Sequence, residues 1–369
     1  MKIAFAGGGT GGHLAPAIAV LEELRFRGDD SPALFLTAGK TAENLGKMLP
    51  AVRSVLLPAA PLAGRRWWTI PRALMRNRRG YRLSRAELTA ASPDLVVGLG
   101  GYVSAPPVLA ARRLGIPVVL HEQNLVMGRA NRFLARYADR VVGSYPLRLS
   151  GGAPRVLSGI GFPIRQAARL AAPEGTGAGW GLEPGRFTVL VLGGSRGARP
   201  LNRLLEEALR GRAIPGDAQF IHCTGPDDRE RMAGAYRAAG LPAAVFASLA
   251  EIGQAYSLAR LVIGRAGGAT LGEIAYWGLP AILVPYPLAA DDHQLANARY
   301  FQEAGAALVY EQADLTAPIL NAEIRRLRKE GELLKKMSAA ARGLYLPGAA
   351  GRMVDIFREV LENKHEGLG

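Results

Sequence analysis

A chain of 369 residues that is 49% hydrophobic is long enough to bury the cores of two domains and too apolar for a largely disordered protein. The single cysteine, Cys223, excludes an intramolecular disulfide, and none of the five histidines has metal-ligand spacing, so we expect neither a metal nor a cofactor. The net charge of +15 at pH 7 predicts an anionic partner: a nucleic acid, a membrane surface or an anionic substrate.

Short apolar runs alternate with longer amphipathic segments, which is the pattern of parallel βα units. In the first half, strands are predicted at Ile3–Ala6, Ala33–Thr37, Val52–Leu57, Leu95–Gly98, Val118–His121 and Arg140–Val142, and a helix at about Leu14 to Arg27. In the second half, strands are predicted at Phe187–Leu192, Gln219–His222, Leu261–Gly264 and Ala281–Val284, and a last helix at Met353–Leu361. The longest uncharged runs contain glycine or paired prolines, so no transmembrane helix is expected.

The same opening, a buried strand followed by a glycine-rich turn and a helix, occurs at Ile3 and again at Phe187. This repetition predicts two doubly wound domains with ligands at the carboxyl ends of their strands. We place the N-terminal domain at residues 1–160, the second domain at 161–345 and a helical tail at 346–369. Residues 171–185, rich in glycine, alanine and proline, are expected to form a linker or mobile loop. The first apolar run stops at Gly7, which favours a buried strand over a signal peptide.

The first glycine loop, Gly7–His13 (GGGTGGH), formally satisfies G-x-G-x-x-G between a strand and a helix, where backbone N–H groups can face an anion. A nicotinamide dinucleotide would need an acid at the end of the second strand. The residues after Ala33–Thr37 are Ala38, Gly39 and Lys40, so the dinucleotide interpretation loses support. A P-loop is excluded because no Gly-Lys-Ser/Thr follows. The remaining alternative is a tight turn without a ligand.

Two glycine-containing segments in the second half suit a nucleotide. Gly193–Ala198 (GGSRGA) offers backbone amides, the Ser195 hydroxyl and a helix N-terminus to a diphosphate. Arg265–Glu273 (RAGGATLGE) puts small residues at another helix N-terminus, with Glu273 one turn inside. A carboxylate there can accept hydrogen bonds from both hydroxyls of a ribose, although an isolated glutamate could simply complement the helix dipole.

Taken together, these segments resemble the MurG family. The resemblance covers most of the chain and rests on Gly8–His13 (GGTGGH), Gly100–Ser104 (GGYVS), His121–Asn124 (HEQN), Gly193–Ala198 (GGSRGA), Arg265–Glu273, and Ala290–Gln294 (ADDHQ) with Asn297–Arg299. It implies an α/β protein of the GT-B fold, in which two Rossmann-like doubly wound domains face a cleft. It also implies inverting transfer of N-acetylglucosamine from UDP-GlcNAc to the C4 hydroxyl of undecaprenyl-diphospho-MurNAc-pentapeptide, converting lipid I to lipid II in peptidoglycan synthesis.

The resemblance also implies roles for individual residues. Ser195 would bind the donor phosphates, Arg165 the donor, Glu273 the ribose, and Leu249 the uracil through its backbone. The residues that would line the sugar nucleotide are Gly268, Ala269, Thr270, Leu271, Gly272 and Glu273. Gln294 and Asn124 would contact the GlcNAc hydroxyls, and Thr10, Gly11 and Gly12 would lie near the acceptor diphosphate or the donor sugar. The sequence departs from the family at Phe162, where asparagine is usual, and after Asn124, where Leu125–Gly128 replaces the usual Pro-Gly.

An inverting displacement needs a general base for the acceptor hydroxyl. His13 is the first candidate, because the ordinary histidine pKa of about 6.5 suits neutral pH, and Glu122 is the second. The alternative for His13 is a phosphate donor or a helix cap, and His121 and His222, at strand ends, are expected to be structural. Asp291 and Asp292 lack D-x-D spacing and precede a helix, so we expect N-capping, with UDP leaving without a metal.

Residues 65–85 contain eight arginines and no acid, together with Trp67, Trp68, Ile70 and Leu74. We expect a partly helical segment, beginning at Pro71, that binds anionic lipids and holds the protein peripherally on the cytoplasmic face of the inner membrane. The alternative is a solvated basic helix with the tryptophans in the core.

Two other functions share some of these features. Tryptophan beside arginine is found in nucleic-acid sites, but the charge forms one patch and no nucleic-acid module is present, so no nucleic-acid partner is expected. A UDP-sugar 2-epimerase of the same architecture should have several acids for chemistry at C2, and no such cluster is found. A related GT-B glycosyltransferase with another lipid acceptor remains the alternative.

Overall fold

A computed structural model describes residues 1–8, 13–38, 52–62, 67–147, 156–194, 197–211 and 213–366. The chain forms two compact units, Met1–Arg165 with Pro347–Gly369, and Gln166–Leu346. The unit boundary therefore follows Arg165 rather than residue 160, and the C-terminal residues belong to the first unit rather than to a separate tail. Within the described ranges, no helix combines the length and the apolar character that crossing a membrane requires.

The first unit is built on a parallel sheet. Its described strands are β1 (Ile3–Ala6), β2 (Ala33–Thr37), β3 (Arg53–Leu56), β4 (Leu95–Gly98), β5 (Val118–Glu122), β6 (Arg140–Gly143) and β7 (Val156–Ser158). Their order across the sheet is β3-β2-β1-β4-β5-β6-β7, and every pairing is parallel. The sequence did not predict β7, because this strand has three residues and none of them is buried.

The second unit repeats the plan. Its described strands are β8 (Phe187–Leu192), β9 (Ala218–Cys223), β10 (Ala243–Phe246), β11 (Leu261–Gly264), β12 (Ala281–Leu283) and β13 (Ala307–Val309). Their order is β10-β9-β8-β11-β12-β13, again with parallel pairings throughout. The two doubly wound domains expected from the sequence are therefore confirmed, although β10 and β13 were not predicted.

Helices connect the strands of both sheets. In chain order, the described helices are α1 (Ala15–Phe26), α2 (Ile70–Ala91), α3 (Ala105–Arg113), α4 (Arg129–Leu134), α5 (Gln166–Arg169), α6 (Thr176–Gly179), α7 (Arg199–Arg210), α8 (Arg229–Ala239), α9 (Ile252–Leu258), α10 (Gly268–Trp277), α11 (His293–Glu303), α12 (Ala317–Lys329), α13 (Gly331–Gly343) and α14 (Ala349–Glu366). The short helix α6 lies within the segment 171–185 that was expected to be a linker or loop.

The core of the first unit lies on both faces of its sheet, because successive strand residues point in opposite directions. Ile3 and Phe5 of β1 belong to the cluster formed with α1 and α14. Ala4 and Ala6 belong to the cluster on the other face, which includes residues of α2 and α3. The helix α14 is longer than predicted and contributes the fully buried Phe357 to the first cluster. Burying such a side chain stabilises the fold by about 1.5–3 kcal/mol, which explains why α14 packs here.

Candidate functional site

In the first unit, three neighbouring strands end at one edge of the sheet with residues that the sequence had singled out. Gly7 and Gly8 follow β1, Gly100 follows β4, and Glu122 ends β5. A Cβ on Gly7 would lie 2.8 Å from the Leu99 Cβ, so only glycine permits this approach of the two loops. The Ser104 hydroxyl lies 2.9 Å from the Ala6 carbonyl oxygen and 2.7 Å from that of Gly100, which ties the loops together. The edge is therefore closely packed.

His13 is half-buried and lies two residues before the first residue of α1. The N-cap position of α1 is occupied by Leu14, so the cap suggested as an alternative for His13 is not at that position. Burial, with a smaller contribution from the charge of His13, lowers the pKa of His121 to about 3. The Nε2 atom of His121 lies 2.8 Å from the Ser144 Oγ, so His121 is a neutral structural residue near His13. Thr10, Gly11 and Gly12 lie outside the described residues.

Glu122 is 4% exposed and its carboxylate holds the loop that follows β5. Its Oε1 accepts hydrogen bonds from the backbone N and the Nδ2 of Asn124, both at 3.1 Å. Its Oε2 accepts from the Gly128 N at 3.0 Å and the Asn131 Nδ2 at 2.9 Å. Because both oxygens already accept N–H groups, this geometry favours a role in positioning Asn124 over a role as proton acceptor.

The segment Leu125–Gly128, where the sequence departs from the family pattern, is part of the same arrangement. Leu125 and Met127 are buried, and Gly128 contributes the N–H that Glu122 accepts. The packing of Leu125 and Met127 and the hydrogen bond from Gly128 to Glu122 therefore accommodate this departure from the family pattern. Sequence reasoning did not single out Asn131, which donates to Glu122 and, at 3.0 Å, to the His121 carbonyl oxygen.

In the second unit, after β8, the Gly197 N donates to the Gly194 carbonyl oxygen at 2.9 Å. Gly197 has φ of +73°, and a Cβ there would lie 1.9 Å from the Thr224 carbonyl oxygen. Glycine is therefore required at this position. Ser195, to which the resemblance assigns the donor phosphates, lies outside the described residues, as does Arg196.

The helix α10 begins at Gly268, within the segment where the glycine-rich motif predicted a helix N-terminus. Of the residues expected to line the sugar nucleotide, Ala269 and Thr270 are partly exposed, whereas Gly268, Leu271, Gly272 and Glu273 are buried. Leu271 is fully buried, and its N–H donates to the Gly267 carbonyl oxygen at 3.0 Å. Its side chain therefore packs in the core and does not line an open surface.

Glu273 is 8% exposed, and its Oε2 accepts a hydrogen bond of 2.9 Å from the Tyr256 hydroxyl. Tyr256 lies on α9, in the connection between β10 and β11, and it is almost fully buried. Leu249 is half-buried in the loop that joins β10 to α9. The same connection therefore carries Leu249 and orients Glu273. Sequence reasoning missed Tyr256, because a tyrosine within a short helix carries no motif.

Gln294 lies at the start of α11 and is half-buried; its Oε1 accepts a hydrogen bond of 2.9 Å from the Tyr286 N. Arg165 is half-buried and is the last residue of the N-terminal segment of the first unit. The expected N-cap is wrong: Asp292 occupies the N-cap position of α11, but its side chain makes no capping hydrogen bond. Among the residues that the structure describes, no group of three or more histidine, cysteine, aspartate or glutamate side chains could hold a metal ion.

The helix α2 has one buried and one exposed face. Ala73, Gly80, Ser84 and Leu88 are its buried residues. Asn77 is bonded to both backbone polar groups of Ala60, with each hydrogen bond at 2.9 Å. The spacing of these positions by three or four residues defines the inner face of a helix.

The exposed side of α2 is basic, and the turn before it is aromatic. Trp67 and Trp68 are 76% and 55% exposed, so the alternative that placed the tryptophans in the core is wrong. The apolar side chains Ile70, Leu74 and Met75 are also exposed. The exposed arginines of the helix are Arg72, Arg76, Arg78, Arg79, Arg82 and Arg85. We call Trp67–Arg85 the basic aromatic surface; Arg65 and Arg66 lie outside the described residues.

The two doubly wound sheets, with glycine loops at their carboxyl edges, match the architecture of glycosyltransferases of the GT-B fold. Models of the glycosyltransferase family 28 N-terminal and C-terminal domains match residues 3–142 and 188–353. The chain resembles the crystal structure of MurG from Acinetobacter baumannii with a TM-score of 0.73 and 30% identity, covering 97% of this chain and 99% of that one.

Curated relatives match over nearly the full length. An enzyme of Halorhodospira halophila is 39% identical, covering 97% of this chain and 98% of the relative. One of Allorhizobium ampelinum is 35% identical, covering 98% and 96%. Both are named UDP-N-acetylglucosamine--N-acetylmuramyl-(pentapeptide) pyrophosphoryl-undecaprenol N-acetylglucosamine transferase. The chain belongs to this family, the MurG glycosyltransferases.

Proposed function

We propose that this enzyme transfers N-acetylglucosamine from UDP-GlcNAc to the C4 hydroxyl of undecaprenyl-diphospho-MurNAc-pentapeptide, which converts lipid I to lipid II in peptidoglycan synthesis. Family membership at 39% identity over 97% of the chain supports the reaction. The observation that supports UDP-GlcNAc as the donor is the position of Glu273. This buried acid lies in α10, the helix that follows β11, and accepts a hydrogen bond from the Tyr256 hydroxyl.

Product analysis tests this proposal. The enzyme is incubated with UDP-GlcNAc and either a short-chain lipid I analogue or a diacylglycerol acceptor, and the products are identified by mass. We expect a product in which GlcNAc is joined to the lipid I analogue, and we expect the same yield of this product with and without EDTA. A product formed only with diacylglycerol would support the alternative glycolipid transferase. Activity lost in EDTA and restored by Mg²⁺ would contradict the metal-free scheme.

On the donor side, the proposed ligands other than Arg165 follow the carboxyl ends of β8, β10, β11 and β12 in the second unit. The Leu249 backbone would read uracil, and the Glu273 carboxylate would accept both ribose hydroxyls. The Ser195 loop and the N-terminus of α10, with Arg165, would bind the diphosphate, where helix N–H groups stabilise the charge that develops on departing UDP. Gln294 would hold the hydroxyls of the GlcNAc ring.

On the acceptor side, we assign His13 as the general base. It takes the proton of the C4 hydroxyl as that oxygen attacks the anomeric carbon of GlcNAc. The new C–O bond forms as the bond to the UDP oxygen breaks, so the configuration inverts, the proton remains on His13, and UDP leaves as the anion. Asn124, held by Glu122, would contact the GlcNAc hydroxyls.

We further propose that the basic aromatic surface binds the anionic cytoplasmic leaflet of the inner membrane. Tryptophan favours the headgroup level, and each arginine near an anionic bilayer contributes about 1 kcal/mol. The exposed apolar side chains of Ile70 and Leu74 are one turn apart on the helix, so both can enter the interface. Because the proposed acceptor is anchored in lipid, binding at the leaflet brings the enzyme to its substrate.

Vesicle co-sedimentation tests the membrane proposal. Wild type should pellet with vesicles containing anionic lipid and much less with neutral ones. Trp67→Ala/Trp68→Ala should weaken binding to anionic vesicles by about tenfold or more, through lost apolar insertion. Arg76→Glu/Arg79→Glu should weaken it further, because four charge units change at about 1 kcal/mol each.

Arg229→Glu/Arg237→Glu, which changes the same four charge units at two exposed arginines of the second unit, serves as the matched control and should pellet like wild type. Equal binding of wild type to neutral and anionic vesicles would contradict the proposal. So would variants of the basic aromatic surface that bind as well as wild type.

A further inference from the structure

The chain between β12 and Gln294 adopts an unusual conformation. Asp291 and Asp292 have φ of +53° and +50°, the left-handed region that side-chain-bearing residues seldom occupy. Among described non-glycine residues, only Ser92 shares a positive φ. Such a backbone persists only where its surroundings hold it, and it is concentrated at ligand sites. Contacts with neighbouring residues must therefore hold the loop Val284–Gln294 in this conformation.

Arg265, the residue that follows β11, holds the start of this loop. Its Nη1 donates to the carbonyl oxygens of Val284 and Pro285, both at 3.0 Å, and its guanidinium carbon lies 5.6 Å from the centroid of the Tyr286 ring. Its Nη2 donates to the Gln312 Oε1 at 2.6 Å. One side chain therefore contacts three consecutive residues of the loop.

Hydrogen bonds also connect the C-terminal end of the loop to Tyr286 and to the segment that follows β11. The Tyr286 N donates to the Gln294 Oε1 at 2.9 Å, so the residue beneath the guanidinium directly orients Gln294. The Asn297 Nδ2 donates to the Ala266 carbonyl oxygen at 3.0 Å, which fixes α11 to the residue next to Arg265. Both ends of the strained turn are thus tied to the segment that follows β11.

An arginine at position 265 fits the role of holding this loop better than a role in stabilising the fold. Arg265 is 6% exposed, and its hydrogen bonds to Val284, Pro285 and Gln312 all end on neutral oxygens. Burial lowers the pKa of the Arg265 guanidinium, which reflects the cost of desolvating its charge. A planar fork can bond two successive carbonyls and stack on a ring together, whereas the compact ammonium of lysine cannot.

We propose that Arg265 is a positioning residue for the donor sugar: by holding the Val284–Gln294 loop in its strained form, it presents Gln294 to GlcNAc. It acts through Tyr286 and Gln294, which follow β12, on the sugar half of UDP-GlcNAc, whereas the proposed nucleotide ligands of the second unit follow β8, β10 and β11. This inference rests on the proposed function, in which Gln294 holds the sugar.

The first test separates the two halves of the donor. Calorimetry measures the Kd of UDP-GlcNAc and of UDP for wild type, Arg265→Lys and Arg260→Lys, the last being an exposed arginine at the other end of β11. Arg265→Lys should weaken UDP-GlcNAc about 10- to 100-fold and UDP less than about threefold, and it should raise the KM for UDP-GlcNAc. Arg260→Lys should change neither Kd. An equal loss of both ligands would overturn the proposal.

The second test asks whether Arg265 acts through Gln294. In a Gln294→Ala background, Arg265→Lys should weaken UDP-GlcNAc by no more than about threefold further, because the group that it positions is gone. The same fold-loss in both backgrounds would overturn the proposal. Gln312→Ala leaves Arg265 in place but removes its outer hydrogen bond, and it should act in the same direction by a smaller factor. If thermal melting shows that Arg265→Lys does not fold, the Kd values of Gln312→Ala for UDP-GlcNAc and UDP are used in its place.

The outcomes also separate this inference from the proposed function. If wild type fails to transfer GlcNAc from UDP-GlcNAc, the proposed function is wrong whatever Arg265 does. If wild type transfers GlcNAc while Arg265→Lys binds both ligands like Arg260→Lys, only the role of Arg265 is wrong.

Discussion

Replacing His13 with alanine is expected to lower kcat by roughly 10²- to 10⁴-fold, with the Kd of UDP-GlcNAc changed by no more than about threefold. The reason is that the acceptor hydroxyl must lose its proton during attack, and the variant lacks the imidazole that is proposed to accept it. Single-turnover transfer to a lipid I analogue measures the chemical step, and calorimetry with UDP-GlcNAc measures donor binding.

Glu122→Gln provides the comparison for His13→Ala. Glu122 accepts N–H groups at both carboxylate oxygens, so we expect its replacement to disturb Asn124 and to cost less in kcat than the loss of His13. A loss below about tenfold for His13→Ala, beside a larger one for Glu122→Gln, would make Glu122 the base.

Glu273→Ala is expected to raise the KM for UDP-GlcNAc by at least about tenfold and to weaken UDP in parallel. Hydrogen bonds from two ribose hydroxyls to a charged carboxylate contribute about 1.5–3 kcal/mol each before compensation. Both ligands carry the ribose, so both should lose affinity, whereas kcat at saturating donor should change much less. Steady-state kinetics and UDP calorimetry measure the two effects.

Two comparisons make the ribose assignment specific. A 2′-deoxyribose analogue of UDP should bind wild type more weakly than UDP does, and that difference should disappear in Glu273→Ala. Tyr256→Phe removes the hydroxyl that donates to Glu273 and should weaken UDP by a smaller factor, since the carboxylate remains but is less well oriented. Unchanged donor affinity in Glu273→Ala would show that the ribose is bound elsewhere.

Some strands buried on both faces were predicted to the residue, whereas β5, β9 and β12 differ from their predicted bounds by one residue at one or both ends. Phe187–Leu192 and Leu261–Gly264 are continuous apolar runs, and the structure gives them the same bounds. The strands β7, β10 and β13 were not predicted, because they have three or four residues and are only partly buried. A short, partly exposed strand is held by pairing with its neighbour, and that pairing leaves no periodic pattern in the sequence.

The sequence by itself determined ten of the thirteen described strands, and so the positions of the glycine turns and of Glu273. It also determined the basic character of residues 65–85, because composition is local information. Only the tertiary structure decided which partners these groups have. Glu122 binds the N–H groups of the loop after it, Tyr256 orients Glu273, and Arg265 donates to carbonyl oxygens of the loop after β12. Each of these contacts forms only when the chain has folded and brings the two partners together. No motif or residue spacing in the sequence encodes that packing.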